Sequence, residues 1–180
     1  MTVAVLFAAG FEEIEAITIV DVLRRAEFDV LMTGVGGTSV TGANGITVSM
    51  DRAIGDLSIA DLDAVVLPGG IPGSENLAES AAVRELLQAA TAADKHVGAI
   101  CAAPIALGAA GLSAGRRLTC YPGFEDRVTG GTMTGARVAI DGKLITGKGP
   151  GAALDFSLAL VAEFGQPETA AALREGMLVG

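Results

Sequence analysis

Residues 3–25 have the sequence VAVLFAAGFEEIEAITIVDVLRR, and this stretch decides the class of fold. It opens with a continuous apolar run of strand length, Val3 to Ala8, and Gly10 follows closely. The pattern then changes to the period of an amphipathic helix from about Glu12 to Arg25. An apolar run without alternation is typical of a strand buried on both faces, as in sheets covered by helices. The segment therefore predicts a strand, a turn and a helix.

The same unit recurs twice along the chain. The apolar run Asp63 to Leu67 precedes Pro-Gly-Gly and a predicted helix over about 74–92, and Val97 to Ile100 precedes a helix after Cys101. Buried strands that alternate with helices predict a doubly wound, mostly parallel sheet between helices, in one α/β domain over residues 1–180.

Additions to this sheet are predicted near turn residues and at the end of the chain. The pairs Asn44-Gly45 and Asp141-Gly142 are strong signals for antiparallel hairpins. A closing helix fits 151–164, and a further helix is expected from Pro167.

Composition limits the partners that this chain can take. The net charge is −9, so we expect neither nucleic acid nor a membrane surface as a partner. Two cysteines make no disulfide framework, and the apolar start of the chain lacks the basic residues of a secretory signal. These features favour a cytoplasmic protein. A single histidine leaves no credible set of metal ligands, and we expect no cofactor.

Cys101 is the first candidate for chemistry, within Ala99-Ile100-Cys101-Ala102-Ala103-Pro104. It stands where a buried strand passes into a helix, with small neighbours that permit a sharp turn, as in a nucleophile elbow. The N–H groups and dipole of the following helix are expected to lower the pKa of its thiol. The alternative is a small buried hydrophobic residue.

Three glutamates follow the first strand. Glu12 and Glu13 are expected to serve the helix N-terminus, where negative charge is stabilised. Glu15 is left nearest the carboxyl edge of the sheet, where a carboxyl group beside a thiolate would have a raised pKa and could donate a hydrogen bond to it. The alternative is an acidic first turn without a role in chemistry.

Three other motifs argue against rival activities. His96 begins the strand that Cys101 follows, about 16 Å away at the wrong end of the sheet, so a Cys-His dyad is improbable. GKLITGK at 142–148 lacks the Ser or Thr of a phosphate loop and fits a hairpin arm. The glycines at 69–73 match a dinucleotide-binding fingerprint poorly. We instead expect this loop to supply a backbone N–H donor near Cys101.

Together these motifs resemble the ThiJ/PfpI superfamily, closest to the branch of the Parkinsonism-associated protein deglycase and its bacterial relatives. The resemblance covers nearly the whole chain in order and rests on GFEEIEAITIVDVLRRA at 10–26, LPGG at 67–70, GGIPGSENLAESAAVRELL at 69–87, AICAAP at 99–104 and KGPGAALDFSLALV at 148–161. It implies a flavodoxin-like fold and a homodimer. By resemblance Cys101 is the oxidation-sensitive nucleophile, Glu15 the carboxyl partner of its sulfur, and Gly70 and Ala102 the backbone donors of the pocket.

The chain departs from the human-type pattern after its next strand. Where those members carry His-Pro, this chain has Cys120-Tyr121-Pro122, so Tyr121 stands at the histidine position. A phenol with a pKa of about 10 is a poor general base at neutral pH. Cys120 is a candidate resolving thiol, with a buried structural cysteine as the alternative.

Two functions are compatible with these residues. One is a stress-protective enzyme of glyoxalase or deglycase type, in which Cys101 attacks small α-oxoaldehydes or their adducts on glycated proteins. The other is non-enzymatic: oxidation of Cys101, stabilised by Glu15, would regulate a redox-sensing or chaperone-like role.

Overall fold

The computed structural model describes every residue from Met1 to Gly180. Eleven strands follow one another along the chain: β1 (Thr2–Ala8), β2 (Asp29–Val35), β3 (Ser39–Thr41), β4 (Thr47–Ser49), β5 (Arg52–Ala53), β6 (Ala64–Leu67), β7 (His96–Ile100), β8 (Arg117–Leu118), β9 (Thr132–Met133), β10 (Val138–Asp141) and β11 (Leu144–Gly147). The six α-helices are α1 (Glu13–Arg25), α2 (Gly73–Glu79), α3 (Ala81–Ala92), α4 (Pro104–Ala109), α5 (Ala153–Glu163) and α6 (Pro167–Gly176).

Seven of the strands form one sheet, in the order β10-β11-β7-β6-β1-β2-β5. All neighbours in it are parallel except β10, which pairs with β11 as an antiparallel edge. The predicted flavodoxin-like α/β class, with a mostly parallel sheet between helices, is therefore confirmed. In such a sheet, ligands bind beyond the carboxyl ends of the strands.

Strand β1 explains how the sheet is buried on both faces. Val3, Val5 and Phe7 belong to one apolar layer, and the intervening residues Ala4 and Leu6 belong to the other. Helices α1 and α5 pack on the first layer and helices α3 and α4 on the second, so neither face of β1 is left to water. This double burial is the reason for its unbroken apolar sequence.

Both predicted hairpins are present. Strands β3 and β4 pair across the Asn44-Gly45 turn, and β10 and β11 pair across Gly142, which has φ of +60°. The segment 142–148 is thus a hairpin arm, as its sequence predicts, and the two closing helices also form where expected.

The single helix predicted over 74–92 is in fact two helices, α2 and α3. Ser80 has extended backbone angles, and its hydroxyl accepts a hydrogen bond from the Val83 N–H as the N-cap of α3. A serine favours this cap because its oxygen satisfies a free N–H of the new helix. Apolar periodicity alone does not reveal the break, since it continues through both helices.

No helix of this chain combines the length and apolar character needed to cross a membrane. No cluster of three or more His, Cys, Asp or Glu side chains is arranged to hold a metal ion.

Candidate active site

The loops after three adjacent strands meet at the carboxyl edge of the sheet. Strand β1 leads to Glu15 in the first turn of α1, β6 leads to Gly69 and Gly70, and β7 leads to Cys101. These strands are neighbours in the sheet, so residues far apart in sequence come together. The structure thus places the predicted pair Cys101 and Glu15 side by side.

Cys101 occupies a sharp turn between β7 and α4. Its φ is +65°, a left-handed conformation that is uncommon for residues other than glycine. Its N–H donates to the Gly147 carbonyl at 2.9 Å, and its own carbonyl accepts from the Tyr121 N–H at 2.8 Å. These two bonds tie the turn to the chain on either side, as the predicted nucleophile elbow requires. Only 7% of the residue is exposed.

Glu15 is completely buried beneath the same loops. Its Oε2 accepts a hydrogen bond from the Gly69 N–H at 2.8 Å, whereas Oε1 has no such partner. Burial raises the pKa of Glu15 to about 7, against the opposing effect of hydrogen bonds from Cys101 and Gly69. A negative charge on Glu12 raises this pKa further. Near neutral pH the carboxyl group can therefore take up or release a proton.

The expectation of a low pKa for the Cys101 thiol is wrong. Burial, followed by the charge and hydrogen bond of Glu15, raises the pKa of Cys101 to about 12. The N–H groups of Gly70 and Ala102 donate to the sulfur and lower the pKa, but their effect is smaller than that of burial and Glu15. The expectation relied on the dipole of the following helix, and α4 is short and begins only at Pro104. Burial beside a carboxyl group raises the pKa of the thiol by more than the helix dipole lowers it.

Cys101 and Glu15 are consequently a coupled pair that holds one proton over a wide pH range. A thiol beside a carboxylate and a thiolate beside a carboxylic acid have the same net charge, so they interconvert by moving that proton. Since Oε2 already accepts from Gly69, a proton held by the carboxyl group belongs on Oε1. The pair can therefore deliver a thiolate without releasing a proton to solvent.

The Gly-Gly pair after β6 fits between these two side chains. A Cβ added at Gly69 would lie 2.5 Å from the Cys101 Cβ and 2.6 Å from the Glu15 Oε2. Gly70 has φ of +94°, and a Cβ there would collide with the backbone of Gly10 and Glu12. Glycine at both positions is what lets the loop approach so closely and present the Gly70 N–H to the sulfur.

Glu12 and Glu13 have different roles. The Glu12 carboxylate caps α1 by accepting from the Glu15 N–H at 2.8 Å, as expected. The Glu13 carboxylate instead accepts from the Asn44 N–H at 2.7 Å and its side-chain amide at 2.9 Å. Glu13 also lies in the first turn of α1, as expected, and its bonds to the β3–β4 hairpin are an additional role that the sequence does not predict.

Cys120 has different packing neighbours from Cys101. Cys101 belongs to one apolar layer and Cys120 to the other, where its sulfur is 3.8 Å from the Met133 Sδ. Burial and then the charge of Glu125 raise the pKa of Cys120 to about 11. Both cysteines are free. This placement favours the structural alternative for Cys120 over a resolving thiol.

Tyr121 and His96 also have definite positions. The Tyr121 side chain is 45% exposed and lines a cleft of about 250 Å³ with Arg137 and Lys148, at the same edge of the sheet as Cys101. His96 packs its ring 5.1 Å from that of Phe164 at the start of β7. A Cys-His dyad is thus absent, as the sequence predicts. The two cations of the cleft were not predicted, since neither stands in a periodic or turn pattern that marks a site.

The sequence and fold are those of a known family. The DJ-1/PfpI family model matches residues 1–163, and the chain belongs to this family. Protein dj-1beta of Drosophila melanogaster is 35% identical over 178 residues, which cover 97% of this chain and 95% of that protein. The glutathione-independent glyoxalase DJR-1.2 of Caenorhabditis elegans is 38% identical over 159 residues, covering 87% and 84%.

A solved structure supports the same assignment. A mutant of a DJ-1 superfamily protein from Salmonella typhimurium superposes with a TM-score of 0.95 at 38% identity, covering 99% of this chain and 98% of that one. The predicted resemblance to the ThiJ/PfpI superfamily is thereby confirmed.

Proposed function

We propose that this protein uses Cys101 as a nucleophile on α-oxoaldehydes or on their early adducts with thiols and amines, including those on glycated proteins. The observation that carries the proposal is the Cys101 thiol held in a left-handed turn beside the buried carboxyl group of Glu15. A relative that is 38% identical has the name of a glutathione-independent glyoxalase, which supports this type of reaction.

The reaction needs no external oxidant. The proton of the Cys101 thiol moves to Glu15, and the thiolate forms a C–S bond to the aldehyde carbon while the N–H groups of Gly70 and Ala102 stabilise the oxyanion. Glu15 returns that proton to the oxyanion, which gives a hemithioacetal and leaves Glu15 as a carboxylate. The carboxylate then carries a proton from the aldehyde carbon to the neighbouring ketone carbon, while the hydroxyl proton passes to the ketone oxygen, leaving a thioester. Water cleaves the C–S bond and restores the thiol, so the aldehyde carbon is oxidised and the ketone carbon reduced within one molecule.

Tyr121 has no step in this scheme. Glu15 supplies the proton transfers instead. The proposal includes action in the cytoplasm, where the free cysteines would remain reduced. It also includes a homodimer.

Conversion of methylglyoxal to lactate by the wild-type protein tests the proposal. We expect Cys101→Ala to abolish turnover and Cys120→Ala to keep it, because only Cys101 contacts Glu15. Undiminished lactate formation by Cys101→Ala would refute the role of this residue.

One observation favours the redox alternative as a second candidate. The buried Oε1 of Glu15 has no hydrogen-bond partner, and a protonated Oε1 can donate to an oxygen of a sulfinic acid at Cys101. Such a state would regulate a sensing or chaperone-like role. Intact mass after graded peroxide, with mapping of the modified residue, tests it. A stable gain of two oxygens at Cys101, in a protein that leaves methylglyoxal unchanged, would favour sensing over turnover.

A further inference from the structure

A basic cleft adjoins the Cys101 turn. One wall is formed by Tyr121 and Pro122 and the other by the turn of residues 149–152, and the space between them is about 250 Å³. Arg137 and Lys148 contribute side chains, and no acidic residue lines the cleft. In a chain with a net charge of −9, a cleft whose charged lining residues are all cations is a local reversal of the overall charge.

Both walls are tied to the backbone of Cys101. The N–H of Tyr121 donates to the Cys101 carbonyl at 2.8 Å, and the N–H of Cys101 donates to the Gly147 carbonyl at 2.9 Å, directly before Lys148. The walls also touch each other, since a Cβ on Gly149 would be 3.0 Å from the Tyr121 ring. A molecule in the cleft is therefore adjacent to the reacting turn.

Lys148 has free capacity to bind an anion. Its ammonium group forms no ion pair and makes one hydrogen bond, to the Gly135 carbonyl at 3.1 Å. An ammonium group has three donors, so two remain. Arg137 is held at the rim by Asp155, which also binds Arg174 at 2.7 Å. Arg137, Arg174 and Asp155 together carry two positive charges and one negative charge, so the cluster that they form is also positive.

We propose that this cleft is an anion subsite and that Lys148 recognises a carboxylate at the far end of the substrate. The choice of substrate depends on the function proposed above. The preferred substrates are then α-oxoaldehydes that carry a carboxylate on the ketone side. The aldehyde lies at Cys101 and the carboxylate at Lys148. Addition of water gives a dicarboxylic 2-hydroxy acid, with the same internal oxidation and reduction as for methylglyoxal.

Alkylation of Cys101 by two matched reagents tests the subsite without any turnover. Iodoacetate carries a carboxylate and iodoacetamide does not, while the same thiolate attacks the CH2 carbon of both and displaces iodide. The ratio of their rate constants, followed at Cys101 by peptide mass, therefore cancels differences in thiol reactivity. A unit charge at short range in water is worth about 1 kcal/mol, so we expect Lys148→Gln to lower the iodoacetate-to-iodoacetamide ratio about fivefold.

Two variants make the comparison specific. Lys143→Gln removes the same charge at the other end of β11, so it should leave the ratio unchanged, and Lys148→Arg should restore it. Equal ratios in wild type and Lys148→Gln would overturn the proposal, as would an equal fall in Lys143→Gln, which would show only an effect of net charge.

Turnover separates this proposal from the one on which it depends. With 4,5-dioxopentanoate and methylglyoxal as substrates, Lys148→Gln should lower the ratio of kcat/KM for the first to kcat/KM for the second about fivefold. A Lys148-dependent alkylation ratio without turnover of either substrate would refute the enzymatic function and keep the subsite. Turnover of both substrates with no effect of Lys148→Gln on either readout would refute the subsite and keep the enzyme.

Discussion

Glu15 has a carboxyl group that is fully buried, with one oxygen bonded to the Gly69 N–H and the other unpartnered. Such a group costs stability when it is ionised, because no opposite charge compensates for the lost hydration. Its position beside Cys101 relates this cost to the chemistry. Burial favours a proton on the carboxyl group, and the thiol must lose a proton to become a thiolate. The same residue thus links folding stability to thiol chemistry.

The first prediction concerns this link. The pKa of Glu15 is raised from 4.5 to about 7 in the folded protein, so between these values the native state binds more protons than the unfolded state. The free energy of unfolding should therefore fall as pH rises through this window, by about 3 kcal/mol from this group. Glu15→Gln cannot ionise, so it should lack this contribution and be more stable than wild type at pH 8.

Urea denaturation of both proteins at several pH values provides the measurement. The contributions of other titrating groups cancel in the difference between wild type and Glu15→Gln, so the difference should grow from pH 4.5 to pH 7. A difference that stays constant with pH would mean that Glu15 is ionised at an ordinary pKa and is only a helix-turn acid.

At the level of elements, the loop after β6 must pass between Cys101 and Glu15. The second prediction is that Gly69→Ala forces these side chains apart, because the added Cβ would lie 2.5 Å from the Cys101 Cβ and 2.6 Å from the Glu15 Oε2. Forced overpacking of this kind costs about 1–3 kcal/mol. Urea denaturation should show that loss, and turnover of methylglyoxal should fall because the thiol and its proton acceptor are separated.

Gly55→Ala is the matched control for this substitution. A Cβ at Gly55 meets no atom within 4 Å, so stability and turnover should stay near wild type. If Gly69→Ala retained both wild-type stability and wild-type turnover, the tight placement of the loop would have no part in the chemistry.

The elements also show where sequence reasoning succeeds and where it fails. The unbroken apolar run of β1 and the turn residues of the hairpins are local signals, so strands and hairpins are predictable from them. The position of Cys101 after a buried strand likewise predicts its sharp turn. The split at Ser80 has a local cause, the N-cap bond of its hydroxyl, which apolar periodicity does not reveal. The bond of Glu13 to the β3–β4 hairpin and the raised pKa of Cys101 depend on contacts between distant segments. No local pattern records such contacts.

At the scale of the whole molecule, large apolar side chains are exposed around α1. Ile14 and Ile17 are one turn apart on this helix and are 60% and 41% exposed. Ile46 is 56% exposed near the tip of the β3–β4 hairpin, and its N–H contacts Glu13 at the start of the same helix. Leu154 adds a fourth side chain, 40% exposed, from α5. Apolar residues grouped in this way mark an interaction surface.

The third prediction is that this surface forms the centre of a symmetric homodimer. A two-fold axis through α1 would set Ile14 and Ile17 against their own copies and bury them, which is the commonest arrangement for a pair of identical chains. Sedimentation at micromolar concentration should then give twice the chain mass of 18.0 kDa. The double variant Ile14→Lys, Ile17→Lys should sediment as a monomer, because lysines at those positions would meet like charges across the axis.

Ile140→Lys is the control, since Ile140 is 46% exposed on the edge strand β10, far along the sheet from α1. It should leave the dimer intact. A wild-type protein that sediments at 18.0 kDa would contradict the dimer itself. A dimer that persists in the double α1 variant and dissociates in Ile140→Lys would place the interface on the sheet edge instead, because an edge strand can pair with its own copy through free backbone groups.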